Sequence, residues 1–202
     1  MTKKQNVVNL GCRLNSFESS VIEKILDKNN IKNKVIINTC AVTNQAVKKS
    51  IGAVKKAKKL NPNCQIYVTG CASDIDRKSF SKLKIVDKFI PNVRKTDESL
   101  YTSNDFEKLL KNTKEKSFNF PILKEKNLNR TRALLQIQQG CNHRCTFCII
   151  PFGRGNSISL PIKGILENVN KLLSWGYKEI IFTGVDITSY GNDLPGKPKL
   201  GS

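Results

Sequence analysis

The chain has 202 residues, a formal net charge of +19 and seven cysteines. This length suffices for one large domain or two small ones with a buried core, and no apolar run approaches the roughly 18–20 residues of a membrane helix. The N-terminus lacks the apolar segment of an export signal, which predicts a cytoplasmic protein with no membrane partner. An odd number of cysteines without such a signal favours thiolate metal ligands over a disulfide framework. The excess positive charge favours a polyanionic partner, above all nucleic acid.

The first part of the chain alternates between short apolar runs and longer segments with helical periodicity. The apolar runs predict strands at residues 6–10, 34–38, 65–69 and 85–90. The periodic segments predict helices at residues 17–28, about 42–60, 74–83 and about 97–111. Strands that alternate with helices of this length predict an α/β fold, with a doubly wound parallel sheet, in a domain that covers residues 1–112.

A polar stretch rich in lysine and asparagine, residues 113–129, is the predicted linker to a second domain. The second domain begins with a predicted strand at 133–138, a loop at 140–156, a helix at 162–175 and a strand at 179–183. Only one βαβ crossover fits before the chain ends, so residues 130–202 are predicted to be the start of an incomplete domain. We therefore expect a truncated chain that is inactive by itself.

Cys141, Cys145 and Cys148 form a C-x3-C-x2-C motif on the loop after the first strand of the second domain. Three thiolates on one loop can bind three irons of a four-iron cluster and leave the fourth open to a small molecule, whereas electron-carrier clusters usually have four cysteines. Such a loop lies at the carboxyl end of a strand, where active sites of sheet-based enzymes are found. A zinc site is the alternative, but it would need a fourth ligand such as His143 at a regular spacing, which is absent.

Cys12, Cys40 and Cys71 each come directly after an apolar run that predicts a strand. If the three strands are parallel neighbours, their carboxyl ends bring the three thiolates to one edge of the sheet, where helix N-termini also favour negative charge. The alternative is that these cysteines are small buried apolar residues. Three equivalent placements beside an independent cysteine motif favour a second metal centre. Cys64 precedes its strand and is not included.

The whole pattern resembles the methylthiotransferase family of radical S-adenosylmethionine (SAM) enzymes. The matching motifs are GCRLN at 11–15, NTCAVT at 38–43, TGC at 69–71 and CNHRCTFCIIPFGRG at 141–155, in the order that the family has them. Within the family, GCRLN and TGVDITSYG at 183–191 resemble the branch that modifies threonylcarbamoyladenosine beside the anticodon of tRNA. The resemblance also implies that the second domain is the start of a partial (β/α) barrel.

The resemblance implies two [4Fe–4S] clusters and SAM as cofactors. The cluster on Cys141, Cys145 and Cys148 would split SAM into a radical. An auxiliary cluster on Cys12, Cys40 and Cys71 would carry the sulfur. The expected reaction adds a methylthio group to C2 of N6-threonylcarbamoyladenosine next to the anticodon. The implied partners are the anticodon stem-loop of tRNA, an electron donor such as a flavodoxin or ferredoxin, and a sulfur donor.

Three further residues are predicted to bind SAM. By the resemblance, Phe147, the aromatic residue before the third cysteine of the motif, lies near the adenine. Arg154 and Asp186 follow the first and second strands of the second domain and are expected to shape the SAM site, although a capping role for Asp186 is an open alternative. No residue is assigned as an acid or base, and His143, the only histidine, is interpreted as a loop residue.

The predicted helix at about 42–60 carries a stripe of lysines formed by Lys48, Lys55 and Lys59. A solvated outer face is one explanation, and binding of RNA phosphates is the other.

Two other enzymatic functions are alternatives, namely methylthiolation of isopentenyladenosine in tRNA and methylthiolation of a ribosomal-protein side chain. The non-enzymatic alternative is an iron–sulfur electron carrier or an RNA-binding module.

Overall fold

The computed structural model describes residues 6–111, 118–121 and 131–201. The chain divides into two compact units, Met1–Asn119 and Phe120–Ser202. Most of the predicted linker at 113–129 lies outside the described residues. No helix within the described ranges is long and apolar enough to cross a membrane.

The first unit is built on a four-stranded, entirely parallel sheet. Its strands are β1 (Val7–Asn9), β2 (Lys34–Thr39), β3 (Gln65–Gly70) and β4 (Lys88–Phe89), and their order in the sheet follows the chain. Its helices are α1 (Arg13–Lys28), α2 (Asn44–Leu60), α3 (Cys71–Ile75), α4 (Arg77–Ser81), α5 (Ser99–Thr102) and α6 (Phe106–Lys111). A short 3-10 helix spans Asn92–Arg94. The predicted α/β class with a parallel sheet is confirmed.

Helices cover both faces of this sheet because side chains of a strand alternate between its faces. Val35 and Ile37 of β2 pack with Ile66 of β3 and with Val54 and Ala57 of α2 in one buried cluster. On the opposite face, the side chain of Asn38 in β2 hydrogen-bonds to residues of α1. The carboxyl ends of the strands are therefore framed by α1 on one face and α2 on the other.

Two helices that the periodicity predicts as continuous are each broken in two. The prediction of one helix at 74–83 is wrong because Asp76 leaves helical geometry (φ −122°, ψ 50°) and its carboxylate caps α4 by accepting from Ser79 N. The prediction of one helix at 97–111 is wrong because Ser103 is extended and ends α5. In both cases a short polar side chain accepts a hydrogen bond from a nearby backbone N–H. Such bonds compete with the continuation of a helix.

The second unit contains one complete βαβ crossover. Strand β5 (Arg132–Gln136) pairs in parallel with β8 (Glu179–Thr183), and α8 (Ile162–Ser174) connects them. The predicted strand at 133–138 is interrupted at Ile137: β6 (Gln138–Gln139) instead pairs antiparallel with β7 (Ile158–Ser159). A short helix, α7 (Ile150–Arg154), lies within the predicted loop. The core is formed by Ala133, Leu135, Ile137, Ile165, Leu172, Tyr177 and Tyr190.

Candidate metal centres

Three of the four cysteines of the first unit follow the carboxyl ends of three neighbouring parallel strands. Cys12 precedes the first residue of α1 after β1, Cys40 directly follows β2, and Cys71 directly follows β3. Cys40 and Cys71 are buried and Cys12 is exposed. The structure therefore brings all three cysteines to the same edge of the sheet. That they bind a metal stays a prediction.

Two glycines allow the chain to turn sharply next to these cysteines. Gly70 has φ +97°, and a Cβ there would lie 2.4 Å from the carbonyl oxygen of Thr39. A Cβ on Gly11 would lie 2.1 Å from Nδ2 of Asn15. Only glycine fits such close approaches. Close packing thus explains why glycine precedes Cys12 and Cys71.

A buried polar network lies directly beneath this edge. Lys95 Nζ forms an ion pair with Glu18 Oε2 at 2.5 Å and donates to Oδ1 of Asn15 and of Asn38, each at 3.3 Å. Asn15 Nδ2 donates to Thr39 O at 3.0 Å, and Asn38 Nδ2 donates to Asn15 O at 3.1 Å. The network therefore joins the start of α1 to the end of β2. Sequence reasoning missed Glu18 and Lys95, although Asn15 and Asn38 lie in the GCRLN and NTC motifs.

Cys71 also has a polar neighbour from a distant part of the chain. The buried Asn92 donates from Nδ2 to Cys71 Sγ at 3.5 Å. Asn92 N donates to Asp74 Oδ2 at 2.9 Å, which fixes the 3-10 helix against α3. Burial raises the pKa of Asp74 above its ordinary value, against the opposing effect of this hydrogen bond. A donor to sulfur orients a metal ligand, so Asn92 is placed to orient Cys71.

The loop of Cys141, Cys145 and Cys148 begins at a glycine that no other residue could replace without movement. Gly140 has φ +71°, and a Cβ there would lie 1.9 Å from the carbonyl oxygen of Asn156. Cys141 N donates to Gly155 O at 3.1 Å, and Cys148 N donates to Cys145 O at 3.0 Å. Cys141 is buried, whereas Cys145 is exposed and Cys148 is partly exposed.

The segment after α7 braces this loop. Arg144 donates from Nη1 to Cys141 O at 2.8 Å and from Nη2 to Asn156 Oδ1 at 2.5 Å. Ser157 N donates to Asn142 Oδ1 at 2.9 Å. These bonds hold the backbone around Cys141 without using its sulfur, so the thiol stays available as a ligand.

Gln138 connects the cysteine loop to the loop that follows β8. This fully buried side chain donates from Nε2 to Gly140 O at 2.7 Å and to Ser157 Oγ at 2.9 Å. Its Oε1 accepts from the backbone N of Val185 and of Asp186, both at 2.8 Å. Gln138 is therefore a positioning residue that the sequence reasoning missed.

The three residues predicted to bind SAM have very different surroundings. Phe147 is 91% exposed in the cysteine loop. Arg154 is 4% exposed and donates from Nη1 to Oε1 of Gln139 at 3.0 Å, so it contributes to the packing beneath the loop. The carboxylate of Asp186 accepts from Thr188 Oγ1 and Ser189 Oγ, both at 2.6 Å, but it makes no capping hydrogen bond to the backbone of the 3-10 helix Ile187–Ser189 that follows it.

Asp186 is also close to the cysteine loop. Its Oδ2 lies 3.8 Å from Cys141 Sγ and 3.2 Å from His143 Nε2. The hydroxyls of Ser189 and Thr188 hold the pKa of this carboxyl below its ordinary value, with a smaller contribution from His143. The sequence predicts only that His143 is a loop residue. The structure adds that its side chain contacts Asp186.

The lysine stripe of α2 is exposed, as the periodicity predicts. Lys48, Lys55 and Lys59 face solvent, and Val54 and Ala57 are buried in the core on the other side of the helix. Lys58 instead donates to Cys64 O at 3.1 Å. Cys64 is buried beneath α2 and takes no part in either cysteine site.

Both cysteine sites fit iron–sulfur clusters by the chemistry of their donors. Each offers three thiol sulfurs: Cys12, Cys40 and Cys71 follow β1, β2 and β3, and Cys141, Cys145 and Cys148 lie between β6 and α7. Thiolate sulfur is the ligand that such clusters take. In each site at least one cysteine is exposed, namely Cys12 in the first and Cys145 in the second. A preassembled cluster could therefore reach both trios.

Comparison with known proteins relates each part of the chain to a protein family. Residues 4–91 match the uncharacterized protein family UPF0004, and residues 135–195 match the radical SAM superfamily. The first unit is thus the class of domain that UPF0004 describes, and the second unit is a radical SAM segment.

Curated relatives carry both segments in one protein. The chain is 42% identical to threonylcarbamoyladenosine tRNA methylthiotransferase MtaB of Rickettsia prowazekii over 96% of its length. It is 31% identical to tRNA-2-methylthio-N(6)-dimethylallyladenosine synthase of Buchnera aphidicola over 89%, and 32% identical to ribosomal protein uS12 methylthiotransferase RimO of Acetivibrio thermocellus over 99%. These alignments cover 44–49% of the relatives, so the chain spans about half their length. The resemblance to radical SAM methylthiotransferases that the motifs predict is confirmed over nearly the whole chain.

Proposed function

We propose that the protein containing this chain is a tRNA methylthiotransferase. It adds a methylthio group to C2 of N6-threonylcarbamoyladenosine next to the anticodon. The observation that carries this proposal is the presence of two separate cysteine trios in two separate units, one at the carboxyl edge of the four-stranded parallel sheet and the other on the segment between β6 and α7. Two sites are needed because one must generate a radical while the other supplies sulfur.

Cys141, Cys145 and Cys148 would hold the [4Fe–4S] cluster that binds SAM. If bound there, the cluster would supply the electron for radical cleavage of SAM. The chain's own contribution is positional: Gly140 and Arg144 fix the loop backbone, and Gln138 ties it to the loop after β8. The exposed ring of Phe147 is available to pack on the adenine of SAM.

Cys12, Cys40 and Cys71 would hold the auxiliary [4Fe–4S] cluster. If bound there, this cluster would supply the sulfur of the methylthio group. The Lys95 network joins the start of α1, which follows Cys12, to the end of β2, which precedes Cys40, and Asn92 orients Cys71. An electron donor such as a flavodoxin or ferredoxin, and a sulfur donor, complete the set of partners.

The tRNA substrate is supported by charge as well as by similarity. The net charge of +19 favours a polyanion, and the exposed stripe of Lys48, Lys55 and Lys59 supplies cations for phosphates. The threonylcarbamoyladenosine branch is supported by the 42% identity to a relative of that name, against 31–32% for the other two. Methylthiolation of isopentenyladenosine or of a ribosomal protein is the second candidate, because relatives with those names also match.

Replacement of Cys12, Cys40 or Cys71 by alanine in the complete gene product tests the division of labour. We expect each variant to lose methylthio transfer while it still cleaves SAM under reducing conditions, because the second trio is intact. Cys64→Ala is the matched control, since Cys64 is buried in the same unit but belongs to neither trio. Loss of SAM cleavage in all three variants would refute the proposal.

Mass spectrometry identifies the substrate. The complete protein is returned to a strain that lacks it, and tRNA nucleosides and ribosomal peptides are both analysed. A gain of 2-methylthio-N6-threonylcarbamoyladenosine supports the proposal. A methylthio group on isopentenyladenosine or on a ribosomal peptide instead would assign the chain to another branch, and no methylthio product together with no SAM cleavage would favour an electron carrier or RNA-binding module.

A further inference from the structure

In the second trio, Cys141 has two neighbours with other donor atoms, the imidazole of His143 and the carboxylate of Asp186. Among the described residues, the ligand atoms of Cys141, His143 and Asp186 all lie within 4.8 Å of one another. Asp186 Oδ2 is 3.2 Å from His143 Nε2 and 3.8 Å from Cys141 Sγ. Cys145 and Cys148 do not belong to this group.

These separations are close to those of a single tetrahedral zinc ion. With Zn–S of about 2.3 Å and Zn–N and Zn–O of about 2.0 Å, tetrahedral angles place sulfur and oxygen ligands about 3.5 Å apart and nitrogen and oxygen ligands about 3.3 Å apart. The observed sulfur–oxygen distance of 3.8 Å and nitrogen–oxygen distance of 3.2 Å differ from these values by a few tenths of an ångström, and the sulfur–nitrogen pair lies within 4.8 Å. Small side-chain movements would therefore complete a three-ligand site with thiolate, imidazole and carboxylate donors.

The surroundings of the three ligands resemble the outer shell of a metal site. The Asp186 carboxylate is oriented by the hydroxyls of Thr188 and Ser189 at 2.6 Å, and its backbone N is held by Gln138. Such outer hydrogen bonds fix ligand geometry in metal sites. The His143 side chain is 67% exposed and that of Asp186 is 13% exposed, so one side of the site is open to water as a fourth ligand.

We propose that Cys141, His143 and Asp186 bind one zinc ion when the cysteine loop holds no cluster, and that this zinc blocks cluster assembly. Binding converts the Cys141 thiol to a thiolate and releases its proton to solvent. Because Cys141 is shared, zinc and the iron–sulfur cluster exclude each other. The zinc site itself is independent of the proposed function, and only the competition rests on the proposed cluster.

Zinc affinity of the metal-free chain tests the site directly. The background protein carries Cys12→Ser, Cys40→Ser and Cys71→Ser, so that the other trio cannot contribute. Zinc is titrated against a chromophoric chelator, and cobalt(II) serves as a spectroscopic probe of tetrahedral thiolate coordination. We expect His143→Ala and Asp186→Asn each to weaken zinc binding at least tenfold, in line with the loss of one ligand.

Cys145→Ser and Cys148→Ser are the matched controls on the same loop. We expect both to bind zinc within about twofold of the background protein, because neither sulfur belongs to the group. The proposal is overturned if Asp186→Asn leaves zinc affinity unchanged, or if Cys145→Ser weakens it as much as Asp186→Asn does. The second result would mean that zinc uses the cysteines alone. His143 is exposed, so His143→Ala retains the test if the Asp186 variant fails to fold.

Cluster reconstitution tests the competition. Iron and sulfide are added anaerobically to the background protein and to His143→Ala, each with and without one equivalent of zinc. We expect zinc to lower the iron and sulfide bound by the background protein at least threefold, and to leave His143→Ala within 20% of its zinc-free value. Equal inhibition of both proteins would overturn the competition, whereas a failure of both to bind iron without zinc would count against the proposed cluster instead.

Discussion

Lys95 and Glu18 form an ion pair whose side chains are 2% and 1% exposed. Removing water from two charges is costly, and their attraction offsets this cost only while both partners are present and hydrogen-bonded. Asn15 and Asn38 supply the additional bonds to Lys95. The pair therefore makes the geometry of the first cysteine edge sensitive to a residue more than fifty positions away from Cys40.

Replacement of Lys95 by methionine should strongly destabilise the first unit. We expect a loss of about 3–5 kcal/mol in the free energy of unfolding, because Glu18 is left buried without its partner. Urea unfolding followed by circular dichroism measures this change. The double variant Lys95→Met, Glu18→Leu should recover part of the loss, since it removes both charges.

Lys28→Met is the matched control for this substitution. Lys28 pairs with Glu98 at 2.9 Å, but its side chain is 59% exposed and solvent screens the pair. We expect a loss of at most about 1 kcal/mol. Equal losses for the two variants would mean that burial of the Lys95 pair does not govern its contribution.

Single residues differ in how clearly a sequence reveals their role. The cysteines, and the glycines before Cys12, Cys71 and Cys141, are recognisable because chemistry or sterics admits few alternatives. Lys95 and Gln138 are not recognisable, because a lysine or glutamine is ordinary at most surface positions. Only folding shows that Gln138 is fully buried with both ends of its amide bonded.

At the scale of elements, periodicity predicts long helices well and their interruptions poorly. Helix α2 was predicted at about 42–60 and spans Asn44–Leu60, with Thr43 accepting from Ala46 N as its cap. The breaks at Asp76 and Ser103 depend on side-chain bonds to local backbone. The apolar spacing on either side of a break does not change, so the hydrophobic pattern alone cannot locate it.

The exposed stripe of α2 leads to a prediction about tRNA binding. Replacement of Lys48, Lys55 and Lys59 by glutamine in the complete gene product should weaken tRNA binding, because the proposed contacts of three lysines with phosphates would be lost. The slope of log K against log salt concentration should flatten by about two to three. Filter binding at several salt concentrations measures both quantities.

Three exposed lysines of the second unit provide the control. Replacement of Lys163, Lys171 and Lys178 by glutamine removes the same charge from exposed positions outside α2. We expect a smaller change in affinity and in the salt slope. If the two triple variants behave alike, net charge and not the stripe governs binding.

At the scale of the whole molecule, the two cysteine trios lie in separate compact units. Each unit has its own buried cluster of side chains, so we expect the two cluster sites to load independently. The reconstituted chain should hold about eight irons, and the variant with alanine at Cys12, Cys40 and Cys71 should hold about four.

Chemical iron analysis and Mössbauer spectroscopy measure this prediction. The variant with alanine at Cys141, Cys145 and Cys148 should also hold about four irons, which makes the two triple variants controls for each other. A total of about four irons in the unsubstituted chain would contradict the two-cluster proposal. Loss of all iron in either variant would contradict independent loading.

The sequence by itself determined the α/β class, the placement of the six cysteines after predicted strands, and the family. These features depend on local periodicity and on residues whose chemistry is rarely interchangeable, so they can be read without coordinates. Only the tertiary structure decided that β1, β2 and β3 are neighbours, that Lys95 lies under their carboxyl edge, and that His143 and Asp186 meet Cys141. Apart from the neighbours Cys141 and His143, these contacts join residues that are distant in sequence. They form because whole elements pack together, which no local pattern encodes.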